Sequence, residues 1–260
     1  MTWVLAEWRS WSVGQGAAFA AVVLVGLEIL AYLVNAMQYA TAKRIPNNGK
    51  HLDVLSSKDM AFISVSKLST VVFTHHMLLY CGSSGSNVVW SLSGVTLLNT
   101  LAALPLLYIV YDFFYTAWHR FLHLRFIYAY VHKHHHQQHA PSRGNLDAIN
   151  VHPVEFIVGE YDHLLSLYLV ATFVTPVHVL TVLVFIVLGG FLASLNHTRF
   201  DVVSPIFPQI YQVAYHDIHH YDPLWNYGQY LMFWDALTGS FKSTASAQAQ
   251  LAAKQKAKQA

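Results

Sequence analysis

The sequence predicts an all-α integral membrane protein: a bundle of about four to five transmembrane or hairpin helices with a cytosolic, histidine-rich helical cap. Three observations favour this fold class. Hydrophobic residues make up 55% of the chain and charged residues only 11%, less than half of the roughly 25% usual in soluble domains. Long apolar runs recur, and 17 histidines outnumber both the 15 basic and the 13 acidic residues. Lipid is therefore expected to surround much of the chain.

Charge and cysteine content argue against two other classes. The net charge is +2, and no basic patch with interleaved aromatic residues occurs, so nothing indicates nucleic-acid binding. Cys81 is the single cysteine. It excludes an intrachain disulfide and fits a reducing compartment or a membrane interior.

The first apolar run, residues 17–37, has the length of a spanning helix, which needs roughly 20 apolar residues. Its one charge, Glu28, would be costly if it faced lipid. A cleavable signal peptide is the alternative, but no basic segment precedes the run and no clear small-residue cleavage site follows it. We expect a retained membrane anchor.

Three further runs complete the expected bundle. A weaker span covers residues 61–81 and is interrupted by Lys67, and a stronger one covers 88–118 as a helix that protrudes past the membrane. The run 164–195 is too long for one simple span and short for two, and Pro176 near its middle predicts a kinked hairpin. Histidine groups flank this last run, so they can meet only if it crosses the membrane twice or not at all. A hairpin satisfies that condition.

Basic residues indicate the orientation. The connection 82–97 has no Lys or Arg, whereas the loop 38–60 contains Lys43, Arg44, Lys50 and Lys58. The positive-inside rule then places this loop and the stretch after Trp118 in the cytosol, with the N-terminus lumenal. The polar tail 243–260 ends in "KAKQA", which resembles a dibasic signal for retrieval to the endoplasmic reticulum, although such patterns also arise by chance. We expect a multi-pass protein of that membrane with a cytosolic C-terminus.

Eight histidines recur at helical spacing in three clusters. The spacing is HxxxH in "AWHRFLH" and HxxHH in both "VHKHHHQQH" and "YHDIHH", and on a helix each pattern places its imidazoles on one face. The eight are His119 and His123; His132, His135 and His136; and His216, His219 and His220. His152 and His197 lie between the clusters. His134 points about 200° away from His132 and is expected outside the shared face, and His139 would extend the face before Pro141 ends the helix.

The repeated spacing favours a built metal site over a disordered metal-binding tract, which needs no spacing at all. Neutral imidazole binds Fe, Zn, Cu or Ni. Eight histidines are too many for one tetrahedral zinc, and ten, with His152 and His197, suit two metal ions. Histidines at the membrane surface are the alternative, and we prefer it for the isolated His75, His76 and His178.

Taken together, these motifs resemble the fatty acid hydroxylase/sterol desaturase superfamily of membrane-bound, histidine-box di-iron oxygenases. Asp112 precedes "AWHRFLH" as in the first box, "HKHHH" resembles the second, and "HPVE" occurs in several members. The closing "YHDIHH" is followed by "NYGQYLMFWDALTGSF". The resemblance covers residues 95–242, which we expect to form the fatty acid hydroxylase-like di-iron domain, after membrane anchor helices in 1–94. Ala193 stands where some branches have a histidine, and "PSRGNLDAIN" matches no branch.

The resemblance implies an enzyme that uses two iron ions, O2 and external electrons to hydroxylate or desaturate a lipid in lipid biosynthesis, with no catalytic residue beyond the metal ligands. Purified samples could carry zinc instead, because imidazole affinity does not favour iron. Sterol, sphingoid base, fatty acyl chain and carotenoid all remain open as substrates. A zinc-dependent membrane hydrolase or lyase with the same histidines is the alternative. A metal transporter is disfavoured, because its ligands would lie near the bilayer midplane.

Carboxylates and basic residues near the boxes have expected roles too. We expect four carboxylates to orient imidazole N–H groups, with a helix cap or a surface ion pair as the alternative for each: Asp112, Glu155, Asp217 and Asp235. The chain has no Gly-x-Gly-x-x-Gly dinucleotide motif, so the resemblance implies a cytochrome b5-type electron donor. Four basic residues near the boxes would form the docking site for this donor, or would instead contact lipid phosphates: Arg120, Arg125, Lys133 and Arg143.

Overall fold

The computed structural model describes residues 2–41, 43–48, 52, 54–205 and 210–259. This part of the chain is predominantly helical. Its α-helices are α1 (Val13–Ala36), α2 (Ser57–Gly82), α3 (Ala103–Leu122), α4 (Arg125–Tyr128), α5 (Asn145–Ala148), α6 (Pro153–Phe173), α7 (Val179–Leu195), α8 (Val213–Tyr221), α9 (Phe233–Thr238) and α10 (Thr244–Gln259). Two short strands, β1 (Val88–Val89) and β2 (Val177–His178), pair in parallel.

Within the described residues, three helices are long and apolar enough to cross a membrane: Val13–Tyr39, Ser57–Gly82 and Leu98–Leu122. The apolar α7 is shorter. On α1, Val22, Val25 and Ile29 are exposed, as expected for side chains that face lipid. The predicted all-α membrane fold class is confirmed.

Local signals in the sequence explain where these helices begin. The Ser12 hydroxyl accepts from Gln15 N while the Gln15 side chain accepts from Ser12 N, and Ser56 and Asp59 form the same reciprocal pair before α2. Pro153 occupies the first turn of α6, where its missing N–H costs nothing.

The prediction of one helix over 88–118 is wrong for residues 88–97, because the helix begins at Leu98. β1 pairs with β2, and a short π-helix (Leu98–Ala102) leads into α3. Gly94 and the serines at 91 and 93 lower helix propensity in this segment.

The predicted hairpin is present, but its first arm starts earlier than the apolar run. α6 begins at Pro153 and ends at Phe173, residues 174–178, which include Pro176 and β2, form the connection, and α7 returns. The early part of α6 carries Glu155, Glu160 and Asp162, so a hydropathy pattern detects only its second half.

Glu28, the one charge in the first run, makes an ion pair with Lys67, the residue that interrupts the second run. An ion pair reduces the cost of placing each charge among apolar helices. The two sequence irregularities therefore compensate each other across α1 and α2. Of the basic residues used to orient the chain, Lys50 lies outside the described residues.

The main apolar core lies between α2, α3, α6 and α7, with Phe73, Leu107, Leu167 and Phe185 buried in it. The histidine clusters lie beyond this core, at the end of α3, in the turns that follow α4, after α7 and on α8. The bundle therefore positions one end of α3 and α7 beneath a polar cap.

Candidate metal centre

Nine of the ten predicted ligands come together in two adjacent groups. In each group the imidazole nitrogens that could bind a metal all lie within 4.8 Å of one another. Group A consists of His119, His123, His132, His136 and His219, and group B of His135, His197, His216 and His220. All nine are buried except His123, which is partly exposed.

Neighbouring residues contribute to different groups. His135 and His136 are consecutive, as are His219 and His220, yet one of each pair belongs to group A and the other to group B. Consecutive side chains on a helical turn point about 100° apart, so one HxxHH motif can supply two sites. Residues 131–134 form turns that lead into a 3-10 helix (His135–Gln137), not a regular α-helix as expected.

Hydrogen bonds donated by Nδ1 fix the orientation of five rings. Backbone carbonyls accept from Nδ1 of His119 (Tyr227 O, 2.7 Å), His219 (Trp225 O, 2.7 Å), His220 (Gln138 O, 2.9 Å) and His197 (Ala193 O, 2.8 Å). The Glu155 carboxylate is the acceptor for His132 Nδ1 at 2.8 Å. A proton on Nδ1 leaves Nε2 with a free lone pair, which is the form that binds a metal.

The free nitrogens then face each other. His119 Nε2 lies 3.0 Å from His132 Nε2, and His197 Nε2 lies 3.2 Å from His135 Nε2. Because His119 and His132 are both protonated on Nδ1, their facing Nε2 atoms bring two lone pairs together unless a cation lies between them. His220 Nε2 is likewise buried without a hydrogen-bond partner. The donor set fits two bound metal ions.

Burial keeps these imidazoles neutral. Loss of hydration, followed by repulsion from neighbouring imidazoles, lowers the pKa of His123 to about 2 and that of His136 to about 3. The same causes hold the pKa of five others well below the usual value: His132, His135, His216, His219 and His220. A neutral imidazole is the ligating form, so no proton has to be displaced for binding near neutral pH.

Comparison with known proteins places the chain in a family. The model of the family described as "Fatty acid hydroxylase" matches residues 104–240, more than half of the chain. The chain belongs to the fatty acid hydroxylase family. Both histidine groups lie inside the matched region, and together with the family they indicate metal binding.

Proteins similar to this member of the fatty acid hydroxylase family are named for several different reactions. It is 34% identical to mouse lathosterol oxidase over 129 residues, 49% of this chain and 41% of the mouse protein. It is 29% identical to a methylsterol monooxygenase of Aspergillus fumigatus (68% of this chain, 57% of the relative). It is 24% identical to a very-long-chain aldehyde decarbonylase of Oryza sativa subsp. japonica (81% and 34%). The chain thus spans less than half the length of the mouse relative. No solved structure matches it significantly.

The tenth predicted ligand, His152, lies outside both groups. Its Nδ1 accepts a hydrogen bond from Val154 N at 3.2 Å, which caps the start of α6. Group B already contains four histidines without it. His134, expected outside the shared face, is 3.0 Å from Asn150 Oδ1 and Asp59 Oδ1, and His139 is exposed.

Of the four carboxylates expected to orient imidazoles, Glu155 contacts a histidine directly. Asp112 instead accepts three backbone N–H groups, from Gln229, Tyr230 and Leu231. Asp235 accepts from Tyr227 N at 3.0 Å and Gly228 N at 2.7 Å. Both therefore hold the loop whose Tyr227 carbonyl orients His119. Asp217 pairs with Arg199.

The backbone carbonyls that orient the rings gave no signal in the sequence, since any residue carries one. Asn226 adopts a left-handed conformation (φ 57°) and its side chain bonds Tyr215 O and Lys242 N. Asparagine tolerates this conformation better than most residues. Asn226 precedes Tyr227 and so helps to set the position of the carbonyl that His119 contacts.

A cavity of about 820 Å3 adjoins both groups. Group members His119, His135 and His197 form part of its wall, and α1, α2, α6 and α7 form most of the rest. Its size falls in the range of roughly 300–1,000 Å3 that small-molecule sites occupy. The cavity connects the metal centre to the apolar interior of the helix bundle.

Proposed function

We propose that the protein is a membrane-bound di-iron enzyme that uses O2 and external electrons to hydroxylate or desaturate a lipid. The two histidine groups beside an apolar cavity carry this proposal. Five and four histidines exceed what a single four-coordinate zinc site requires. The family match and the sterol-oxidising relatives support lipid oxidation in general.

Residues of this chain would hold and shield the reacting centre. The nine histidines of groups A and B would hold two iron ions, which when bound would supply O2 activation and abstraction of hydrogen from an unactivated C–H bond. Glu155 and four backbone carbonyls keep the imidazoles oriented. Burial of the groups excludes water, and the cavity wall holds the lipid against His119, His135 and His197.

A separate protein would deliver the electrons, and we propose a cytochrome b5-type donor. Two of the four expected docking residues have partners within the chain: Arg120 bonds Thr238 and Arg143 pairs with Asp147. Arg125 and Lys133 are exposed close to the histidine boxes in the sequence. These two would contact an acidic donor on the cytosolic side of the endoplasmic reticulum membrane.

Expression in a yeast strain with defective lipid synthesis, followed by untargeted lipid mass spectrometry under 18-O2, tests the proposal. A lipid that gains 18-O indicates hydroxylation, and one that loses two hydrogens without label indicates desaturation. A His219→Ala variant serves as the inactive control. Activity that persists without oxygen, or no lipid change despite iron loading and a supplied donor, would contradict the proposal and favour a zinc-dependent hydrolase or lyase.

A further inference from the structure

The cavity contains a second polar site, away from the metal centre, around Glu160 on α6. One carboxylate oxygen of Glu160 accepts from the Ser69 hydroxyl at 2.8 Å and the other from the Thr70 hydroxyl at 2.5 Å. Both hydroxyls belong to α2. Glu160 and Thr70 line the cavity, so the carboxylate borders a space large enough for a ligand.

Aromatic and imidazole groups extend this site by one helical turn. His163 lies three residues after Glu160, and its Nδ1 donates to Glu160 O at 3.2 Å. Its Nε2 therefore accepts from the Tyr230 hydroxyl at 3.1 Å. The ring centroids of His163 and Tyr111 are 4.1 Å apart. His163, Tyr111 and Tyr230 also line the cavity.

Other parts of the cavity wall are apolar. Side chains of α1 and α7 supply them, including Val23, Leu27, Leu30, Leu183, Val184 and Val187. The cavity thus combines the polar group at Glu160 with a mainly apolar wall, which suits an amphipathic molecule. Glu155, which contacts group A, and Glu160 are five residues apart on α6, or about 7.5 Å along the helix axis.

The carboxylate has hydrogen-bonding capacity that the protein does not use. An ionised carboxylate offers about four lone-pair sites, and the two α2 hydroxyls occupy two of them. A carboxylate in an apolar bundle is costly and commonly marks a functional site. A tie between α2 and α6 could be made by apolar packing alone, so the remaining acceptor sites are better explained by a ligand that donates a hydrogen bond.

We propose that Glu160 binds the hydroxyl group of the lipid substrate. The substrate would then be a lipid whose hydroxyl lies several bonds from the carbon that reacts at the histidine groups, as in a sterol or a long-chain alcohol. A free fatty acid is disfavoured, because its carboxylate would lie beside that of Glu160. That this lipid is the substrate rests on the proposed function, whereas the existence of the binding site does not.

Competition binding to the full-length protein in detergent tests this proposal without turnover. Tritiated lathosterol and tritiated hexadecanol are the probes. Each is displaced by its own unlabelled alcohol and by the O-methyl ether of that alcohol. Hexadecanol is also displaced by hexadecanoic acid. A hydrogen bond to a charged group contributes about 1.5–3 kcal/mol. In at least one of the two sets, the alcohol is therefore expected to bind at least about tenfold more tightly than its ether.

Two variants assign the contact to Glu160. Glu160→Gln keeps the shape but removes the charge, so the alcohol should bind about five- to tenfold more weakly while the ether is unchanged. Asp162→Asn removes a charge from the same helix at a residue outside the cavity wall, and both ligands should bind as in the wild type.

Equal binding of alcohol and ether by the wild-type protein in both sets, or tightest binding of the acid, would overturn the proposal even if Glu160→Gln failed to fold. A preference for alcohol that is undiminished in Glu160→Gln would overturn the assignment to this residue. Selective binding of alcohols without lipid oxidation under 18-O2 would refute only the oxygenase function. Oxidation without that selectivity would refute only the role of Glu160.

Discussion

Nδ1 of His132 lies 2.8 Å from Oε1 of Glu155, and this contact joins group A to the first turn of α6. Glu155 is the third residue of that helix, directly after the His152 cap and Pro153. A carboxylate that accepts from a ligating imidazole fixes its ring and increases the basicity of the other nitrogen. The sequence element "HPVE" therefore has a physical explanation: it caps α6 and presents the carboxylate to His132.

Replacement of Glu155 by Gln should weaken metal retention about 10- to 100-fold, because a neutral amide orients and polarises His132 less effectively. Metal content after dialysis against a graded chelator series measures this change. Asp162→Asn on the same helix is the matched control and should retain metal as the wild type does. Equal metal content in the wild type and both variants would show that Glu155 does not act on the metal centre.

Alanine at His135 or His219 should abolish lipid oxidation, because each substitution removes one proposed metal ligand, from group B and from group A respectively. His75→Ala and His178→Ala should leave most of the activity. His75 contacts Ala6 O, and His178 caps α7 through Leu180 N, so the loss of that cap costs about 1 kcal/mol of stability. Product formation, measured in membranes that contain equal amounts of each variant, distinguishes the His135 and His219 variants from the His75 and His178 variants. Similar activity of all four variants would contradict this division of the histidines.

The sequence predicted most of these histidines because imidazoles at helical spacing leave a strong local pattern. Their division into two groups was not predictable in the same way. It depends on how the turn at His135 and His136 faces α8, which tertiary packing determines. The expected helical face was wrong for residues 132–136, which form turns and a 3-10 helix, and it did not show that neighbours such as His219 and His220 belong to different groups.

Longer-range polar contacts were also beyond sequence reasoning. Glu28 and Lys67 each looked like an irregularity in an apolar run, and only the packing of α1 against α2 pairs them. Residues 88–97 were apolar enough to be predicted as helix, yet β1 pairs with β2 there and the helix begins only at Leu98. Hydropathy reports burial or lipid contact and does not identify the backbone conformation.

Acid should destabilise the metal-free protein. The pKa of His132, His135, His216, His219 and His220 is lowered on folding, so below about pH 6.5 the unfolded state binds more protons than the folded state. Stability is thus fully present above that pH and falls as pH decreases toward the folded pKa values. Each such histidine contributes a slope of about 1.4 kcal/mol per pH unit.

Thermal unfolding in detergent with chelator, between pH 7.5 and 5, measures this dependence. His220→Asn removes one buried imidazole. It should therefore reduce the dependence of the unfolding free energy on pH by the contribution of one proton, about 1.4 kcal/mol per pH unit. An unfolding midpoint that stayed constant across this range, in both the wild type and the variant, would contradict the inferred neutral state of the buried histidines.

Asp112→Asn should loosen the loop that orients His119. Buried Asp112 accepts backbone N–H groups of Gln229 (2.9 Å), Tyr230 (3.1 Å) and Leu231 (2.6 Å). An amide presents an NH2 group toward one of these donors, so at least one charge-assisted bond is lost and a donor is left unpaired. The expected loss of stability is about 3 kcal/mol.

Amide hydrogen exchange of residues 227–231 should increase by about two orders of magnitude if this loop opens locally with that energy. Metal retention should fall as well, because the Tyr227 carbonyl would no longer hold His119 Nδ1. Asp222→Asn, which affects only the more exposed pair with Lys242, is the control and should leave exchange in 227–231 unchanged. If Asp112→Asn also left exchange unchanged, the three backbone bonds would not be what holds the loop, and the orientation of His119 would have to depend on Asp235 and Asn226 alone.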